Sequence, residues 1–502
     1  MGQTSGSSDA EARPLVLDGR TLTISGVVDV ARRRVDAGIA ADAIRRLETE
    51  RRAVDEVVSS GRAAYGVTTG LGARVGQRLR PDDLAEMSLR TLRGRADAIG
   101  PPLGSDATRA VLVTRANQLA GGGSGVQPAV AALLVGLLAA GVEPEVPSIG
   151  SISAGDLCQL AHVGLAVAGE GWARVDGQRM RAIDALAAVG LAPVSLGPKD
   201  GLVLCNSSAL SAGLAALAVA DTEALAGHAY AVAALSFEGF RGNTGPARAE
   251  VLAAHGAPGE ARAGSRLREQ LAGGLLLEPG QARRLQDPLS WRCVPQVHGA
   301  LEAALDFARP AVLAELNGSS DNPLTLEGEV ISTGNFEPAT LALALDTLAL
   351  AVHQVAALSA ARTARLLVPA LTDLPANLSP HGLERSGFAP VVKVSQALLA
   401  RLRRLAVPVS DDPRMAATEV EDTSTNAALG AERLGEMAGL ARSVLAIEAL
   451  LGAQAVELAA PQRIAPRPAA LLASIRGQVP ALDDDRPCGS DIETVAELLA
   501  LA

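Results

Sequence analysis

Gly150-Ser151-Ile152-Ser153-Ala154-Gly155-Asp156-Leu157-Cys158-Gln159-Leu160-Ala161-His162 is the stretch around which the rest of the chain is organised. Small residues stand together, an acid follows, and an apolar run begins. Small side chains let a backbone take tight or unusual geometry. An Asp at a helix start accepts from exposed N–H groups and suits the positive end of the helix dipole. The stretch therefore reads as a compact loop at a helix N-terminus, with Asp156 as its cap. Alone it is an ordinary Gly/Ser turn; the surrounding chain gives it more meaning.

Residues 127–141 before the loop and 156–168 after it read as apolar helices. Val175 to Ile183 reads as a short hairpin with Asp176-Gly177 at its turn. Further upstream, 82–98 and 105–120 are helical, the second ending in Gly121-Gly122-Gly123-Ser124-Gly125. Tyr65-Gly66-Val67-Thr68-Thr69-Gly70-Leu71-Gly72 is a Gly-rich loop carrying one of two tyrosines in the protein. It could be a plain connector, but a tyrosine there is free to project into a cavity. Pro14 to Asp29 fits a short strand pair, and helical signals follow through Val57.

From Leu202 onward helices dominate: 206–235, 295–316, 338–367 and 426–458. In 338–367 apolar residues occupy nearly every face, the pattern of a helix inside a bundle. Several such helices imply a large helical core and oligomerisation to cover what one subunit leaves exposed. The expected fold is mainly α, a long central helical bundle with a small mixed N-terminal region. Its divisions are a disordered polar tail (1–13), an N-terminal domain (14–200), the bundle (201–460) and a C-terminal helical tail (461–502).

Composition agrees. Hydrophobic residues make up 48% but aromatics only 2%, so the apolar content is the helix-forming Ala and Leu, with Val. A net charge of −10 argues against a nucleic-acid partner. Cysteines 158, 205, 293 and 488 form no CxxC pair, which points to free thiols rather than a zinc site or disulfide framework. The longest clean apolar run, 129–142, is too short to span a bilayer. A soluble, cytoplasmic protein with no membrane partner is expected. The histidines show no ligand spacing, so no metal is expected; His298 reads as structural and His381 as a loop residue.

Six polar clusters interrupt the apolar helices: the Tyr65 loop, the opening stretch, 205–208, 286–299, 315–333 and 419–423. Buried polar groups must find partners. Any one cluster could be a hydrogen-bond network at a helix end, but six in an Ala/Leu protein suggest one shared polar site.

Taken in order, these clusters make the chain resemble the histidine and phenylalanine ammonia-lyase family, the aromatic amino acid lyases and aminomutases, over residues 15–460. The resemblance rests on the Tyr65–Gly72 loop, Asn117-Gln118-Leu119-Ala120, Gly201-Leu202-Val203-Leu204-Cys205-Asn206, Gln286-Asp287 with Ser290, Arg292-Cys293-Val294-Pro295-Gln296-Val297-His298-Gly299, Glu315-Leu316-Asn317, Asp321-Asn322-Pro323-Leu324 and Gly334-Asn335-Phe336. It implies a helical homotetramer whose sites are shared between subunits, and a small carboxylate substrate. It also implies an electrophilic 4-methylideneimidazole-5-one group made from an Ala-Ser-Gly tripeptide, with no diffusible cofactor. Carried over by position, Tyr65 matches the base and Asn206 the asparagine beside the prosthetic group. Glu421 matches the residue facing the amine, Arg292 the carboxylate anchor, and Gln286, Asn322 and Phe336 match pocket positions.

Three departures stand out. Ser153-Ala154-Gly155 occupies the tripeptide position without the Ala-Ser-Gly order, one residue short. Ala154 in the middle has no hydroxyl to lose as water. If Ser153 is taken as central, the closing nitrogen belongs to a residue with a Cβ. Leu289 stands where the family has a second tyrosine. Arg95 replaces a histidine of histidine lyases, and Leu71 a common aromatic; Leu71, Arg95 and Leu289 are therefore candidate substrate contacts. The expected activity is β-proton abstraction and elimination, or the reverse addition or cyclisation, without the ring. The alternatives are a ring-dependent ammonia-lyase or 2,3-aminomutase, and a non-catalytic relative acting as a binding subunit. Arg95 and Leu71 suggest an anionic substrate.

Overall fold

A computed structural model describes residues 14–72, 76–411 and 421–501. The expected tail 1–13 and Glu419 and Val420 of the late acidic cluster lie outside them. The chain forms two compact units, each drawn from three segments. One comprises Met1–Leu217, Pro310–Ala342 and Val409–Ala431; the other comprises Ala218–Arg309, Leu343–Pro408 and Glu432–Ala502. These units are set by contacts, and so cut across the consecutive division drawn from sequence patterning.

The four long helices run Ala209–Phe240, Val294–Asn317, Ala339–Leu366 and Ala427–Ala459. Three stretches, Asp200–Phe240, Ala339–Leu366 and Ala427–Ala459, are long and apolar enough to cross a membrane by length and composition. A search for uninterrupted runs misses them because isolated polar residues break them. Their most apolar windows are 89%, 61% and 78% buried within the protein, which accounts for the composition.

In the first unit the helix Ser105–Gly121 is buried continuously from Thr108 to Ala120. Several of its polar side chains bond groups distant in the sequence, as buried groups tend to. Arg109 donates to Val30 O and Leu138 O, and Asn117 Nδ2 donates to Leu316 O at 2.9 Å. The helix Pro128–Ala140 starts on a proline and ends at Gly141 with φ +67°, the left-handed cap that glycine adopts without a Cβ clash.

The strands are short. The expected strand pair at 14–29 is not there. Leu15–Leu17 pairs in parallel with Ala37–Ile39, and Ile24–Ala31 is a helix. Its apolar residues Ile24, Val27, Val28 and Ala31 fall at helical spacing, and Thr23 caps it by accepting from Gly26 N at 3.0 Å. The 82–98 helix is shorter than expected, Pro81–Arg93, ending before the strand Ile99–Pro102. The hairpin is present: Trp172–Val175 pairs antiparallel with Gln178–Arg181, and both turn residues, Asp176 and Gly177, have positive φ as a type I′ turn requires.

In the second unit a buried ion pair ties helices together. Arg362 grips Glu448 through Nε–Oε1 at 2.6 Å and Nη2–Oε2 at 2.8 Å, and Ser236 Oγ donates to Oε1. Arg362 Nη1 also donates to Ser290 O at 3.1 Å, fixing the helical turn Leu289–Arg292. Trp291 of that turn stacks on Phe240 with centroids 3.9 Å apart. His298 is fully buried edge-on to Tyr230, in keeping with a structural role. All four cysteines are free, but only Cys205 is fully buried. Among the described residues no group of His, Cys, Asp or Glu could hold a metal.

Candidate functional site

The opening loop is held by bonds within the first unit. Ser153 has φ +61° and Gly155 φ +69°. Ser153 N donates to Ser151 Oγ at 2.9 Å. The Ser153 hydroxyl, 1% exposed, accepts from Ala428 N at 2.9 Å and pairs with Ser211 Oγ at 3.1 Å. Ile152 O accepts from Asn426 N, and Ser153 O from Thr425 Oγ1. A Cβ built on Gly155 would stand 2.3 Å from Asn206 Oδ1, so only glycine fits there.

Asp156 does not cap its own helix, Leu157–Val167. Its backbone, at φ −80° and ψ 46°, is outside the extended region from which a capping side chain reaches back. Its carboxylate instead accepts from Ser211 N at 2.8 Å, Ser211 Oγ at 2.9 Å and Ser151 Oγ at 2.6 Å. Ser211 lies in the first turn of Ala209–Phe240, so Asp156 caps that distant helix. Burial raises its carboxyl above the usual range, against the pull of these donors.

Above the loop is a cavity of about 320 Å³ lined by Tyr65, Gly72, Arg95, Ala154, Leu157, Leu202, Asn206, Asn322, Ser332, Thr333, Phe336 and Glu421. Tyr65 sits on a turn fixed by Thr68, whose Oγ1 accepts from Ala64 N and donates to Arg62 O. Its hydroxyl accepts from Gly72 N at 3.3 Å. Gly66, at φ +64°, lets the loop lie close to Leu202. Asn206 ends the helix Asp200–Cys205, and its Nδ2 donates to Asn322 O at 3.1 Å. The Asn322 side chain is occupied in turn, its Oδ1 accepting from Thr333 N at 2.9 Å.

Beneath these two asparagines Arg115, 1% exposed, donates to Asp321 Oδ1 at 2.8 Å and to Val203 O. It thereby ties the segment before Asn322 to the helix before Asn206. Lys199 is buried nearby, bonded to Thr325 Oγ1 and Ser124 O, and burial lowers it to about 8. Glu337, next to Phe336, is pushed up to about 7 by burial, with the Asp156 charge adding to the effect.

Comparison with known proteins gives this arrangement a relation. The aromatic amino acid lyase model matches residues 22–477. A histidine ammonia-lyase of Anaeromyxobacter dehalogenans is 38% identical, covering 97% of this chain and 98% of its own. Among solved structures, ergothionase from Treponema denticola, an ergothioneine-degrading enzyme, superposes with a TM-score of 0.93 at 30% identity, over 97% of this chain and 99% of that one. Tyrosine aminomutase from Streptomyces globisporus also gives 0.93 at 30% identity, over 97% of both chains. The chain belongs to the aromatic amino acid lyase family. It is a carbon–nitrogen lyase of mainly helical fold.

Seven of the residues singled out on the family pattern line the one cavity: Tyr65, Arg95, Ala154, Asn206, Asn322, Phe336 and Glu421. Ser153 and Gly155 lie behind Ala154, not in its lining. Leu71 is also outside the lining, near Gly66. Gln286, Leu289 and Arg292 belong to the second unit and are not lining residues of this cavity. There Gln286 is exposed and Leu289 is 61% exposed beside Leu285 at 96%. Leu157 and Leu202, which supply the apolar wall, were not singled out, because an apolar residue in a helix reads as core.

Proposed function

We propose that this lyase eliminates a nitrogen group from an amino acid or related carboxylate, or runs the reverse addition or cyclisation, without a 4-methylideneimidazole-5-one ring. Tyr65 takes the β-proton, the C–H electron pair becomes the new double bond, and the C–N bond breaks with its electrons leaving on nitrogen. Glu421 faces the substrate's cationic nitrogen, which leaves as the neutral amine, and Asn206 orients the substrate. Arg292 grips the carboxylate with its two-pronged guanidinium.

The observation that carries the ring-free reading is the position of the only hydroxyl in the tripeptide. Ser153 Oγ is buried and occupied by Ala428 N and Ser211 Oγ, while the residue facing the cavity is Ala154, which has no water to lose. Ser153-Ala154-Gly155 does not fit the ring. Without an electrophile to hold the nitrogen, a substrate must bring its own leaving group. A quaternary ammonium suits this, because it cannot lose its charge to the base that Tyr65 must become.

Gln286, Leu289 and Arg292 complete the site in this reading from neighbouring subunits of a cytoplasmic homotetramer. Their absence from the cavity lining and the exposure of Leu285 and Leu289 support that arrangement. The ring-free proposal is tested by intact mass together with an ultraviolet absorbance scan. The mass calculated from the sequence is expected; a deficit of two waters overturns it.

A further inference from the structure

Arg95 and Glu421 line the same cavity, one cation and one anion, yet they form no ion pair. Among the described residues no carboxylate lies within 4 Å of the Arg95 guanidinium. Among the described residues its side chain makes a single hydrogen bond, from Nη1 to Thr91 O at 3.4 Å. A guanidinium carries five N–H donors in a planar fork. Four of those donors therefore have no acceptor among the described residues, and the fifth has a long bond.

The charge is felt inside the wall of the site. Burial pushes Cys158 up and Cys205 up to about 11, and in both cases Arg95 pulls the other way. Arg95 is half-buried, so an anion that reached it would be partly shielded from solvent. Arg95 is the one cation among the described lining residues: the other polar groups are the Tyr65 hydroxyl, two asparagines, Ser332 and Thr333, all neutral, and Glu421, which repels an anion. Asn206 and Asn322 already bond each other and the Thr333 backbone.

We propose that Arg95 is a specificity-determining residue that binds an anionic end group on the substrate side chain, distal to the reacting carboxylate. The substrate is then a dianion in its carboxyl groups, or a monocarboxylate whose side chain ends in a sulfonate or similar acid. This rests on the elimination reading for its account of the other carboxylate, which Arg292 holds. It differs from a pocket built to take a neutral ring, in which an unpaired guanidinium would be left without a partner, a costly arrangement.

Binding isolates the claim from catalysis. The probes are two matched pairs of unsaturated acids of the shape an elimination yields: trans-2-pentenoate with trans-glutaconate, and trans-cinnamate with trans-4-carboxycinnamate. Each is titrated calorimetrically into the purified full-length protein. The wild type is expected to bind at least one diacid roughly tenfold to a hundredfold more tightly than its matched monoacid, the range of one charge-assisted contact. Arg95→Gln is expected to abolish that preference and leave monoacid binding unchanged, and Arg95→Lys to keep part of it. Absence of any diacid preference in the wild type overturns the proposal. So does an equal loss for monoacid and diacid in Arg95→Gln, which would mean that Arg95 holds the reacting carboxylate. If no nitrogen compound is turned over while the preference is present and Arg95-dependent, the elimination reading fails and the Arg95 assignment stands.

Discussion

The Ser153 hydroxyl accepts a hydrogen bond from the Ala428 backbone N–H at 2.9 Å, across 275 residues of chain. Ala428 is in the first turn of the helix Ala427–Ala459, where N–H groups have no partner within the helix. Ser153 therefore acts as a cap supplied from outside the helix. Asp156 does the same for Ala209–Phe240 through Ser211. One short loop thus ends the N-termini of two long helices.

Ser153→Ala removes this cap and strands the buried Ala428 N–H. A loss of about 1–2 kcal/mol in stability is expected, in line with other cap deletions. Chemical denaturation of the variant and the wild type measures it. On the ring-free reading kcat is largely retained.

Tyr65→Phe keeps the ring of the side chain and removes the proton acceptor. Turnover is expected to fall about 10²–10⁴-fold, the usual contribution of a positioned base. Among the described residues the Tyr65 hydroxyl makes only the 3.3 Å contact with Gly72 N, so stability should hardly change. Steady-state kinetics on a turned-over carboxylate, with a denaturation curve alongside, checks both halves.

Glu448→Gln leaves the fully buried Arg362 charge uncompensated. Breaking one side of such a pair costs about 3–5 kcal/mol. Replacing both partners by apolar residues, Arg362→Met with Glu448→Leu, is expected to recover much of that loss, because no charge is then buried. Urea midpoints of the three proteins test this, and an unchanged midpoint for Glu448→Gln would refute it.

His298 gives a pH signature. Burial lowers it to about 3, with the Arg362 charge acting in the same direction. Below about 6.5 the unfolded chain takes up a proton that the folded chain refuses until near pH 3. The His298 contribution to stability is thus full above 6.5 and falls as pH drops toward 3, at up to about 1.4 kcal/mol per pH unit. His298→Phe should flatten that slope. The stability difference between variant and wild type, followed from pH 7.5 to 5, reads it directly.

The long helices were legible because Ala and Leu recur through them over many turns without a strand-like alternation; the expected 206–235, 295–316, 338–367 and 426–458 differ from the observed bounds by five residues at most. Ile24–Ala31 was not, since over so short a stretch Leu, Val, Thr and Ile look like strand, and the Thr23 cap is a single residue. Within the site, the residues that face the cavity came from their order along the chain. What could not be read was direction. Asp156 beside a helix start looks like that helix's cap, and only the fold brings Ser211 to it. Ser153 has a hydroxyl in a loop rich in small residues, and nothing local says that it turns inward to Ala428.

A Cβ on Gly155 would meet Asn206 Oδ1 at 2.3 Å, at a backbone φ of +69°, whether or not the Gly155 nitrogen ever closes a ring. Packing alone accounts for this glycine, so the Gly155-Asp156 pair carries no information about whether the ring forms. On the ring-free reading it is Ala154, immediately before that glycine, that bears on the modification, because it brings a methyl where a hydroxyl would have to leave as water.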